Sequence, residues 1–110
     1  ELLKVGRHFR LTPAEKLVVG RNKDENEVIK ALVEDTDVVL EARDHVGPTC
    51  ILRGKSHDKA TIAKAAGIVL RYSDAPKDEA SKIKITIAGK EEQELEVVPA
   101  GVPETDALRI

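Results

Sequence analysis

Aromatic side chains are nearly absent from this sequence: Phe9 and Tyr72 stand alone, and there is no Trp. The core must therefore be aliphatic. No row of exposed rings is available for stacking successive bases, which is how RNA-recognition motifs and OB-folds hold single strands. Cysteine is equally scarce. Cys50 is the only one, which excludes an internal disulfide and a thiolate-rich zinc site and suits a reducing compartment. His8, His45 and His57 have no metal-ligand spacing among them, so no metal is expected. Apolar runs extend over only a few residues, too short to span a bilayer, and no signal peptide is legible. An excess of positive charge is missing too: 18 basic residues face 20 acidic ones, a net charge of -2. That argues against gripping nucleic acid by bulk charge, although it leaves room for a local basic patch. Neither a nucleophile–base pair nor a glycine-rich nucleotide loop is visible. The expectation is a cytoplasmic binding module with no cofactor and no membrane contact, rather than an enzyme.

What the sequence does contain is ample aliphatic and charged material. Hydrophobic residues make up 41% and charged residues 35% of 110, a globular mixture of a size that fits one domain with one core. The chain opens at Glu1 without an initiator Met, and residues 1–110 read as a single domain cut from a longer protein.

Periodicity gives the elements. Residues 7–11 and 16–20 read as strands around a Thr12-Pro13-Ala14-Glu15 turn. Val28, Ile29, Leu32 and Val33 fall at helical spacing and predict a helix over about 22–34, with Asn22 as N-cap. Strands follow at 38–42 and 49–53, separated by the turn 44–48. A second helix is expected over about 58–73, capped by Asp58 or Ser56 and buried along Ile62, Ala65, Ala66, Val69 and Leu70; Ala60, Ala63 and Gly67 would let it approach a sheet closely. Residues 83–87 alternate as a half-buried strand, with a partner around Leu95 and Val97 after a turn near Gly89. Lys82 and Lys84 should then face Glu94 and Glu96. Pro99 and Pro103 frame a last loop before a short strand at 107–110. The fold class is α+β: a mixed, mainly antiparallel sheet packed with two helices.

Two polar connections concentrate the chemistry. Gly20-Arg21-Asn22, followed by Asn26, ends a strand and opens a helix, leaving backbone N–H groups and Arg21 to receive a phosphate. The same residues also read as a turn, a cap and solvated side chains. Ala42-Arg43-Asp44-His45-Val46-Gly47-Pro48 interrupts two apolar strands, the kind of place where function tends to sit; the bland reading is a hairpin turn with a local Arg43/Asp44 pair. Further candidate donors are Arg7, His8, Arg10, Lys23, Arg53 and Lys55.

Taken together, Val19-Gly20-Arg21-Asn22, Asn26, Ala42-Arg43-Asp44, Gly47, Ile51-Leu52-Arg53 and the Ala-rich helix ending Leu70-Arg71-Tyr72-Ser73 resemble the NFACT-R domain, over roughly residues 9–98. The resemblance implies RNA binding, chiefly tRNA and ribosome contacts. The sequence looks closer to a divergent branch appended to PP-loop ATPase proteins similar to 4-thiouridine synthases and tRNA thiolases. It has Glu41 and Thr49 where the main family usually has histidines, and Val46-Gly47-Pro48 where that family tends to read Pro-Gly-Ser. It also lacks the aromatic usual in the strand holding Val39 and Leu40. The implied role is RNA binding, with tRNA as partner and a PP-loop domain in cis, in tRNA thiolation. Expected contacts are Arg21, Asn22, Asn26, Arg43, Asp44, His45, Arg10 and Arg53, supported by Gly20, Gly47 and Pro48. The alternative is a protein–protein docking domain that positions a catalytic domain or a sulfur carrier.

Overall fold

A two-residue turn joins the first two strands, β1 (Arg7–Thr12) and β2 (Glu15–Val19). The Thr12 hydroxyl accepts the Ala14 N–H at 3.2 Å, and Pro13 presets the turn. The structure, a computed structural model, describes residues 4–54, 58–87 and 91–110. Lys55, Ser56, His57 and the turn expected near Gly89 lie outside the described residues.

The remaining elements are α1 (Lys23–Ala31), β3 (Val38–Ala42), β4 (Cys50–Gly54), α2 (Lys59–Arg71), β5 (Ser81–Ile87), β6 (Glu91–Val97) and α3 (Val102–Leu108). The strands form one six-stranded sheet in the order β1-β2-β4-β3-β5-β6, and all its neighbours pair antiparallel. The α+β class expected from the sequence holds, with the sheet antiparallel at every pairing. β2 and β3 run parallel, but β4 lies between them; β4 and β5 run parallel, but β3 lies between them. Each helix thus closes a split βαβ unit. Both crossovers step in the same lateral direction from strands of opposite sense. If both take the usual right hand, their helices must fall on opposite faces of the sheet, as they do.

The two faces are unequal. Phe9, Leu17, Val19, Val38, Leu40, Leu52, Ile83 and Ile85 join α2 residues Ala65, Ala66, Ile68, Val69 and Leu70 in the main core. On the other face α1 covers a small cluster of Val18, Ile29 and Ile51. Val28 is exposed rather than part of the apolar stripe. Gly67 faces the segment 98–100 rather than the sheet, and the Ala100 N–H donates to its carbonyl at 2.9 Å.

α3 replaces the expected last loop and strand. Pro103 lies in its first turn, where a missing N–H costs nothing. Only Arg109 bridges to Phe9, and the Ile110 N–H donates to the His8 carbonyl at 3.0 Å. Lys82 and Lys84 pair directly with Glu96 and Glu94, as the alternation implied.

Candidate nucleic-acid interface

The β2–α1 loop and the β3–β4 loop meet at one end of the sheet, held by a three-part latch. The Gly20 N–H donates to the Thr49 carbonyl at 3.1 Å. The Thr49 N–H donates to Asn26 Oδ1, also at 3.1 Å. A Cβ on Gly20 would lie 2.0 Å from that same oxygen, so glycine is what lets Asn26 reach across from α1 to the start of β4.

Asn22 is the N-cap, accepting the Glu25 N–H at 2.9 Å. Glu25, three residues on, completes a shifted capping box. It accepts the Arg21 N–H at 3.0 Å, Arg21 Nε at 2.9 Å and Arg21 Nη2 at 2.7 Å. The Arg21 guanidinium, with further N–H bonds from Gly6 and Arg21, holds the Glu25 carboxyl down at about 2. The facing loop is fixed as firmly. A Cβ on Gly47 would come within 2.8 Å of Ser73 Cβ, and the Asp74 N–H donates to the Val46 carbonyl at 2.8 Å.

Between the loops runs a groove of about 450 Å³, lined from the β2–α1 loop and helix by Gly20, Arg21, Asn22, Lys23 and Asn26. Val46, Gly47 and Pro48 of the β3–β4 loop, with Arg7, Tyr72 and Asp74, complete the lining. The Arg7 guanidinium carbon lies 4.7 Å from the Tyr72 ring centroid. Gly20, Arg21, Asn22, Asn26, Gly47 and Pro48 are thus brought together, although two stretches of chain separate them.

The other sequence candidates lie elsewhere. Arg43 leaves the groove for the far side of the sheet, holding Glu94 of β6 through Nε at 2.9 Å and Nη1 at 3.2 Å, with Asp44 at 3.8 Å. Arg43 follows β3, two strands over from β2 in the sheet, and its guanidinium points further away, to β6. Asp44 is exposed and His45 half-buried, and neither lines the groove. Arg53 is held by Asp37 at 2.7 and 2.9 Å and by the Leu32 carbonyl at 3.1 Å, which ties α1's end to the sheet. Arg10 sits on the α1 face, directly opposite Lys16, which is itself opposite Arg53. Burial lowers the Lys16 pKa, with help from Arg10 and Arg53. Burial also lowers that of His8, so His8 is a poor source of positive charge at neutral pH.

Sequence reasoning did not pair Glu25 with Arg21, although Asn22-x-x-Glu25 has capping-box spacing. It also gave no role to Tyr72 as a groove wall. The hydroxyl of Thr49 donates to Glu41 at 3.1 Å, so the two positions that depart from the main family's histidines are in contact.

With this geometry in hand, comparison with known proteins is informative. The family model of the NFACT protein RNA binding domain matches residues 6–107. The chain belongs to that family. No curated protein matches the sequence. Among solved structures, the NFACT-type domain here is similar to the C-terminal part of a fibronectin/fibrinogen-binding protein from Streptococcus suis. The TM-score is 0.84 at 15% identity, covering 96% of this chain and 49% of that one. At that identity the likeness concerns the fold alone. The chain spans about half the length of that structure.

Proposed function

We propose that this NFACT-type domain binds a folded RNA, tRNA foremost, through the groove between the β2–α1 and β3–β4 loops. In this reading it is the RNA-contacting part of a cytoplasmic tRNA-modifying protein, with a PP-loop ATPase domain in cis. One observation carries the choice of surface. In a chain of net charge -2, Arg7, Arg21 and Lys23 share one concavity whose lining, among the described residues, includes a single carboxylate, Asp74.

The chemistry follows from which donors are already spent. Asn22 and Asn26 hold the loops. Arg21 holds Glu25 through Nε and Nη2, which leaves Nη1 to face a phosphate. The N–H groups of Lys23 and Asp24, at the start of α1, lie where a helix favours an anion. Lys23 adds a charge beside them. The tRNA-thiolation context rests on the resemblance of the loop motifs to that branch of the family and on Glu41 and Thr49 standing in place of histidines.

The test is a titration of the chain with tRNA across salt concentration. Neutralising on the order of two to four phosphates gives a log–log slope of roughly -2 to -4. Lys23→Ala and Arg21→Ala should each weaken binding more than Lys84→Ala or Arg43→Ala. Lys23→Ala is the cleaner variant, because Arg21→Ala also releases Glu25. Equal weakening by all four folded variants would refute the surface. A docking domain would show no salt-dependent RNA binding at all.

A further inference from the structure

Resting on the reading above, one end of the groove is built unlike a phosphate site. Phe9 is fully buried, and its ring centroid lies 5.9 Å from that of Tyr72. Arg7 lies over the Tyr72 ring in turn. The series runs from core to groove and ends in a guanidinium plane. Arg21, Arg43 and Arg53 are each held by a carboxylate, whereas Arg7, among the described residues, packs on the ring. Val46, on the facing loop, is 77% exposed, yet its backbone is pinned by Asp74 and its neighbour Gly47 is pressed onto Ser73. Val46 therefore adds a fixed aliphatic side chain to the same groove that the Arg7 guanidinium lines, and such a pair suits something flat.

We infer that this groove takes one unpaired nucleotide of an RNA, its base between Arg7 and Val46 and its phosphate at the start of α1. The polarity of the slot sets the orientation. Lys23 and the first N–H groups of α1 belong to the β2–α1 loop and suit phosphate. Asp74 is tied to the β3–β4 loop through Val46, where its carboxylate would accept from an exocyclic amino group instead of repelling phosphate. The volume of about 450 Å³ lies within the range of small-ligand pockets. A single arginine plane can stack a base, so the shortage of aromatics does not forbid it.

The experiment compares two RNAs of equal length, a stem-loop carrying an unpaired 2-aminopurine and a fully paired duplex. Stacking of one base gives a preference of roughly 5- to 150-fold for the stem-loop, with a change in 2-aminopurine fluorescence on binding. Arg7→Lys keeps the charge and removes the plane; it should erase the preference. Val46→Ser changes an exposed side chain without touching the core and should reduce the preference in part. Equal affinity for the two RNAs, or a preference that survives Arg7→Lys, overturns the nucleotide slot and leaves the RNA-binding surface standing. Failure to bind either RNA overturns both. Competition by poly-glutamate as effective as by the stem-loop would mean that the groove reads charge alone, and would also overturn the slot.

Discussion

Replacing Asn26 by Ala removes the acceptor of the Thr49 N–H, at a residue only 3% exposed. An orphaned buried N–H costs about 1–3 kcal/mol. For a domain of this size that lowers the melting temperature by roughly 4–12 °C. Gly20→Ala should cost at least as much by the same route. Its new Cβ would lie 2.0 Å from Asn26 Oδ1, so the amide must turn away and the bond to Thr49 is lost. Gly20 is not in the left-handed region, so the penalty is contact and not backbone strain. The double variant loses the latch only once. The second mutation then meets chiefly Ile29 Cδ1, 3.3 Å away at the end of a side chain that can shift. The double-mutant cycle should therefore show coupling of about 1–3 kcal/mol, measured by urea denaturation at constant m-value. Additive costs would refute the latch, and with it the account of why Gly20 and Asn26 occur together.

Cys50 is fully buried, and burial pushes its thiol well above the usual range, with Glu41 adding to the effect. A thiol reagent should react only as the chain unfolds; fast native-state modification would contradict this. Lys16 stands directly between Arg10 and Arg53 in the sheet, so Lys16→Thr should stabilise by a few tenths to about 1 kcal/mol, more at low salt, as thermal melts would show. Glu25 has its pKa depressed to about 2 in the fold. Its contribution is therefore present above the unfolded carboxylate value of about 4.3 and lost as pH falls through about 2. Glu25→Gln should flatten that acid limb of the stability curve, and an unchanged limb would remove Glu25 from the centre of the loop.

Much of this was legible in the sequence because it is local. Alternation located β1, β2 and β5, and Asn22 and Asp58 marked helix starts by chemistry that acts within three residues. Cys50 and Leu52 fell on one face and Ile51 on the other because strand periodicity is two. What escaped was non-local. The partner of Arg43 lies on β6, 51 positions away in the chain, and no spacing rule connects β3 to it. Asn26 looked like a contact residue because its true partner, the Thr49 N–H, appears only once β4 lies beside β2. Pro99 and Pro103 read as loop punctuation, yet a proline in the first helical turn is as natural as one in a turn. The contact between Arg7 and Tyr72, far apart in sequence, was likewise out of reach of any spacing rule.

The central claim is a place: RNA meets the chain at the groove between its two latched loops. Amide chemical-shift mapping during titration with a tRNA stem-loop tests it most directly. The largest changes should fall on Gly20–Asn26, Val46–Thr49 and Tyr72–Asp74, with β5 and β6 nearly silent. Changes concentrated on the Lys82, Lys84 and Arg43 side of the sheet, with the groove silent, would contradict it.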